Sequence, residues 1–198
     1  MIDRKATQGG RLRLLAARPL ARVGLALHRL GVSADAVTLA GFALTLLAAL
    51  FIARGRLQEG GLLLLISLPL DALDGAVARA AQRDSRFGGV LDSTLDRYAD
   101  AAMFAALVYY FASLGQMEHL ALALLALVGS YGVSYVRARA GEAGIELREG
   151  LFTRLERALV LLLALLIPGL LLPGLWLLAL GCNLTALQRL WLVYRQEP

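Results

Sequence analysis

Residues 158–188 carry no charged side chain, 31 positions in a row. A helix crossing a bilayer needs about 20 mostly apolar residues. The run is therefore too long for one crossing and too apolar for a solvated segment. Pro168-Gly169 and Pro173-Gly174 punctuate it, and such dipeptides mark turns, so it reads as two spans joined by a short turn. Residues 36–53 form an earlier uncharged run, and residues 60–70 open one that continues into a charged segment. Residues 101–117 and 119–136 supply the third and fourth spans. The expected fold is an all-α membrane protein with six transmembrane helices. Composition agrees: 59% of residues are hydrophobic and 18% charged, against about 45–50% and about 25% in soluble domains. A disordered chain, a disulfide scaffold and an ordinary cytosolic enzyme are excluded. The one cysteine, Cys182, lies within the apolar run and reads as a small buried hydrophobe.

The net charge of +5 could point to nucleic acid, but the basic residues sit between the apolar runs. With an inside N-terminus, eighteen of the twenty basic residues fall on inside segments and only Arg54 and Arg56 fall outside. That asymmetry places both termini in the cytoplasm of a multi-pass cell-membrane protein. The N-terminus lacks the compact apolar core and small-residue cleavage site of a signal peptide. Arg11, Arg18, Arg22 and Arg29 share one helical stripe, with Leu12, Leu15, Val23 and Leu30 away from it. Residues 11–30 therefore read as an amphipathic helix lying in the cytoplasmic interface and anchored on anionic lipid. No internal repeat is evident. Residues 1–198 read as one membrane domain, with the six-helix bundle over residues 36–193.

Five aspartates interrupt the apolar pattern: Asp71, Asp74, Asp92, Asp96 and Asp100. An ionised carboxylate in a span costs several kcal/mol unless paired or solvated, so such residues are functional by default. Asp71 and Asp74 are spaced i, i+3 and Asp92 and Asp96 i, i+4, so each pair shares a helix face. Both pairs lie at cytoplasmic helix ends, joined by a short linker. Four converging carboxylates repel one another and call for cations between them. Hard oxygen ligands suit Mg²⁺ in a site that also binds phosphates. Two such ions form the clamp used for in-line displacement at phosphorus, and Mn²⁺ can substitute. Gly75, inside a helix at a cost of about 1 kcal/mol against alanine, leaves room with Ala78 for a flat ligand. Arg79 can neutralise a phosphate.

In full, the residues read Asp71-x-x-Asp74-Gly75-x-x-Ala78-Arg79, eight residues, then Gly88-x-x-x-Asp92-x-x-x-Asp96. This resembles the signature of the CDP-alcohol phosphotransferase family at all eight fixed positions. The resemblance implies a membrane enzyme of phospholipid biosynthesis that displaces CMP from a CDP-linked lipid with an alcohol, and it implies a homodimer. It implies Asp71, Asp74 and Asp92 as metal ligands, and Asp96 as general base and possible further ligand. It gives Gly75, Ala78, Arg79, Gly88 and Thr38 to the CDP site. One departure is visible: the family usually has Pro-Asn just before the first span, where this chain has Ala34-Asp35. That puts Asp35 in doubt as a nucleotide contact. Asp100 continues the helix face of Asp92 and Asp96, as an arginine partner or a solvated residue.

The acceptor is read from the cytoplasmic arginines. Arg137 and Arg139 end span four, Arg154 and Arg157 open span five on one face, and Arg189 and Arg195 close span six. Guanidinium forks suit a phosphate monoester, so Arg137, Arg139, Arg154, Arg157 and Arg195 are expected to hold a phosphorylated alcohol. This pattern resembles the bacterial phosphatidylinositol-phosphate synthases and their archaeal relatives, which implies inositol 1-phosphate as acceptor. The donor is then CDP-diacylglycerol or a CDP-linked ether lipid. Glu156 is open to inositol hydroxyls or to pairing with Arg157. The nearest alternative is a phosphatidylglycerol-phosphate synthase using glycerol 3-phosphate. A divalent-cation transporter is a remote one, since transporters place sites near the midplane within inverted repeats. His28 and His119 read as interfacial residues without a chemical role.

Overall fold

The computed structural model describes residues 9–81, 85–147 and 150–196, with side chains from residue 19 onward. The side chains of Arg11 and Arg18 lie outside the described residues, as do Arg83 and Arg148. Seven helices follow one another: α1 (Gly9–Arg29), α2 (Ala34–Ala53), α3 (Leu57–Ala80), α4 (Arg86–Ser113), α5 (Met117–Glu142), α6 (Arg154–Leu166) and α7 (Leu171–Tyr194). No strand occurs among the described residues. Four helices, α2, α3, α5 and α7, are long and apolar enough to cross a membrane. The chain is thus an all-helical membrane protein. Large apolar side chains such as Leu50, Ile66, Val128, Leu163 and Leu184 are exposed on these helices and α6, as lipid-facing surfaces require.

Helix ends depart from the sequence expectation in two places. Met117 does not close the third span but opens α5, because the chain turns at Gly115 with φ +69°, a conformation that glycine adopts freely. The turn in the long uncharged run falls at Pro168-Gly169, where Gly169 has φ +86°. Pro173-Gly174 instead lies within the first turn of α7, where proline removes no helix hydrogen bond. As expected, α3 runs through both Asp71 and Asp74 to Ala80 without a break.

The chain divides into two compact units. The first comprises residues 1–43 and 66–95, and so α1, the start of α2, the end of α3 and the start of α4. Its helices approach at small residues. A Cβ on Gly24 of α1 would stand 2.8 Å from Ala76 of α3. Ser67 of α3 donates its hydroxyl to the Gly41 carbonyl of α2 (3.0 Å), an interhelical bond of the kind that joins helices in apolar surroundings.

The second unit comprises residues 44–65 and 96–198. Its core holds Ile52, Leu107, Val133, Leu175, Leu178 and Cys182, all nearly solvent-free, which bears out the reading of Cys182. α5 and α7 make close contact through Gly129, where a Cβ would stand 2.8 Å from the Cys182 Cβ. Asn183 donates to the Leu125 carbonyl at 3.0 Å in the same contact. α6 opens with a capping box: the Thr153 amide donates to the Glu156 carboxylate (2.9 Å), as does the Thr153 hydroxyl. Glu156 is thus a helix cap, the reading that neither of its two expected roles anticipated.

Candidate active site

In the first unit, the end of α3 presents Asp71 and Asp74 on one face, and α4 brings Asp92 to them. One carboxylate oxygen from each lies within 4.8 Å of the others. Asp74 is the most buried of the three, at 7% exposure. One of its oxygens accepts the Thr38 hydroxyl of α2 (2.8 Å) and the other accepts the Gly75 amide. Three hard anionic oxygen donors at this separation match a divalent cation. The expected fourth ligand, Asp96, is not in this group.

A cavity of about 320 Å³ opens at the cluster. Thr38, Asp74, Gly75 and Ala78 line it from α2 and α3, and Ser85, Gly88, Gly89 and Asp92 from the start of α4. The Ser85 hydroxyl accepts the Gly88 amide (3.1 Å) and caps α4. The N-terminal turn of a long helix therefore borders the cavity, with amides suited to an anion. Of the five residues expected at the CDP site, Thr38, Gly75, Ala78 and Gly88 line this cavity. Arg79 does not. Its guanidinium lies 3.3 Å from where a Cβ on Gly75 would be, so it fills the space that glycine leaves open. Gly88 lets the Asp35 carboxylate come within 3.2 Å of the same kind of position. Asp35 lines a second cavity of about 750 Å³ with His28 and Ser33, and this cavity shares Ala34, Ala78 and Ser85 with the first. The sequence signal for Ser85 is a serine just before a helical run, a capping position, whereas Arg86 carries no motif of its own.

The second unit holds Asp96, Asp100 and the arginines of α5, α6 and α7. The Asp96 carboxylate, 8% exposed, pairs with Arg154 at 2.6 Å and with Arg97 at 3.4 Å. Arg157, 4% exposed, donates to Asp100 at 2.9 Å, which settles Asp100 as an arginine partner. Arg189, 3% exposed, donates to the Val133 carbonyl at 2.7 Å. The charges of Arg137 on α5 and Arg157 on α6 bear on Arg189 of α7. Two other expected acceptor residues stand apart: Arg139 pairs with Glu142 on the surface, and exposed Arg195 lies 5.2 Å over the Trp191 ring. Arg189 stands among the arginines expected on the cytoplasmic side, but its burial is visible only in the fold.

A model of the CDP-alcohol phosphatidyltransferase family matches residues 32–187. The chain belongs to that family. A CDP-alcohol phosphatidyltransferase is therefore the enzyme whose acidic cluster and cavity are described above. The chain is 38% identical over 175 residues to the archaetidylinositol phosphate synthase of Pyrococcus horikoshii, covering 88% of this chain and 90% of that one. It is 38% identical over 173 residues to the phosphatidylinositol phosphate synthase of Mycobacteroides abscessus, covering 83% and 79%. The solved phosphatidylinositol phosphate synthase of Mycobacterium tuberculosis with CDP-DAG bound superposes with a TM-score of 0.83 at 33% identity, over 89% of this chain and 94% of that one. The same enzyme in complex with manganese and citrate gives 0.79 at 32% identity, over 88% of each chain.

Proposed function

We propose that this phosphatidyltransferase moves the phosphatidyl group of CDP-diacylglycerol, or an ether-linked analogue, onto a hydroxyl of inositol 1-phosphate and releases CMP. The observation that carries the reading is the cluster of Asp71, Asp74 and Asp92, two of which, Asp74 and Asp92, line a cavity bordered by the start of α4. In this reading the cavity takes the donor pyrophosphate, and Thr38, Gly75, Ala78 and Gly88 shape the nucleotide site, with Arg79 at its edge. Asp71, Asp74 and Asp92 hold divalent metal, two Mg²⁺ ions with Mn²⁺ as substitute, which offset negative charge on the phosphates and make the phosphorus more electrophilic. Asp96, one helical turn along α4 from Asp92, takes the proton of the acceptor hydroxyl. The acceptor oxygen bonds to the lipid-bearing phosphorus as the bond from that phosphorus to the CMP oxygen breaks.

The acceptor phosphate is assigned to Arg137, Arg157 and Arg189, with Arg154 beside the base. Two buried guanidinium groups in a membrane protein favour an anionic ligand, and the names of the similar synthases support inositol phosphate. The wider reading has α2–α7 as six spans and α1 as an interfacial amphipathic helix. It places both termini and the site on the cytoplasmic side of the cell membrane, in a homodimer. The family match across residues 32–187 supports treating the chain as one catalytic domain. The deciding test is CMP release from CDP-diacylglycerol with inositol 1-phosphate, glycerol 3-phosphate, serine and free inositol. Inositol 1-phosphate is expected to be preferred and free inositol to fail. Turnover with serine or free inositol would overturn the phosphate handle, whereas a preference for glycerol 3-phosphate would overturn only the choice of alcohol.

A further inference from the structure

In the second unit, one oxygen of Asp100 ties three helices together. Asp100 Oδ2 accepts the Ser130 hydroxyl of α5 at 2.7 Å and an N–H of Arg157 on α6 at 2.9 Å, while Asp100 itself sits on α4. Ser130 is 1% exposed and Arg157 4%, while the Asp100 side chain is 22% exposed, so the two donors are buried and the carboxylate is reached from one side. A guanidinium offers five N–H donors in a rigid fork. Fixing one end by a carboxylate fixes the direction of the rest. The Nε of Arg157, like that of Arg97, is buried and has no hydrogen-bond partner among the described residues. A buried donor without an acceptor is costly, and an anion reaching the Arg157 fork would satisfy it.

We infer that Asp100, seconded by Ser130, is a positioning residue for the acceptor: it clamps Arg157 so that the guanidinium presents its remaining donors to the acceptor phosphate. The inference rests on the acceptor-phosphate reading above. Asp100 neutralises part of the charge of Arg157 and would weaken its hold on an anion if charge alone mattered. What the clamp supplies is orientation, which is the larger part of a fork-shaped contact with a phosphate. Asp100 also stands one helical turn after Asp96 on α4, about 6 Å along the axis. One rigid helix thus carries both the base and the residue that orients the phosphate anchor, which sets the distance between the acceptor's phosphate and its reacting hydroxyl.

The test is steady-state kinetics of the full-length enzyme in defined detergent, with inositol 1-phosphate varied against CDP-diacylglycerol, and inorganic phosphate as a competing anion. Asp100→Asn is expected to raise the KM for inositol 1-phosphate about tenfold, with the KM for CDP-diacylglycerol within twofold of the parent. Ser130→Ala is expected to raise the acceptor KM and the inhibition constant of inorganic phosphate about threefold, with Ser130→Thr restoring both. An acceptor KM within twofold in Asp100→Asn, or equal rises in both KM values, would overturn the inference. If Asp100→Asn does not fold, Ser130→Ala decides: an unchanged phosphate inhibition constant overturns the clamp. Arg157→Ala separates the two levels of the argument. An unchanged acceptor KM there removes the acceptor-phosphate reading itself. A raised KM there, with no effect of Asp100→Asn or Ser130→Ala, removes only the clamp.

Discussion

Asp74 is the most constrained carboxylate of the acidic cluster, with one oxygen on the Thr38 hydroxyl and the other on the Gly75 amide. Groups that orient a metal-binding carboxylate commonly change metal affinity ten- to a hundredfold when removed. Thr38→Val should therefore weaken Mn²⁺ binding about tenfold, read by titration in electron paramagnetic resonance, and should lower CMP release at limiting metal. Chelation by EDTA should reduce CMP release to background, with recovery on adding Mg²⁺ or Mn²⁺. Asp96→Asn should keep CDP-lipid binding and lose turnover; loss of nucleotide binding as well would reassign Asp96 to the metal. The aspartates were legible in the sequence because carboxylates in apolar runs carry a large solvation cost that needs a reason. Ser130 was not. A serine in a span is common, and nothing in its spacing ties it to Asp100. Arg189 stood out as an arginine expected on the cytoplasmic side, but its burial shows only in the fold.

Helix–helix contact in this chain relies on missing side chains. A Cβ on Gly129 would meet the Cys182 Cβ at 2.8 Å and the Asn183 backbone nitrogen at 2.9 Å, and neither atom can swing aside. Gly129→Ala should lower stability by about 1–3 kcal/mol, seen as a lower Tm in detergent. Gly141 has no atom within 4 Å of such a Cβ and lies on the same helix. Gly141→Ala should hold or raise the Tm, by up to about 1 kcal/mol of helix propensity. Uncharged run length was enough to place every helix from α2 to α7. Helix ends were less legible, since Gly115 and Gly169 turn the chain by their positive φ while Pro173 is absorbed into a first turn. Proline and glycine mark both situations alike, and only the packing around them decides.

At the scale of the molecule, the charge asymmetry predicts that the connection containing Arg54 and Arg56 faces outward and the one after α5 faces the cytoplasm. In a Cys182→Ala background, a cysteine at Arg56 should react with an impermeant maleimide added outside sealed right-side-out vesicles, and one at Gly144 only after lysis. The reverse pattern would invert the topology. Membrane character and family were readable in the sequence at this scale, because both rest on long patterns. Which of the expected cytoplasmic arginines are buried was not, because that depends on how α5, α6 and α7 come together. The shortness of α6 has a consequence for how such a protein is made. Its 13 residues cover about 20 Å, against about 30 Å of hydrocarbon, so in the six-span arrangement α6 cannot be retained in the bilayer by its own length. Gly174 of α7 packs against Ala164, with a Cβ position 2.6 Å away, directly across the Pro168-Gly169 turn. In that arrangement α6 and α7 would enter the bilayer as one hairpin, and a chain truncated after residue 168 would leave α6 without the partner that holds it there.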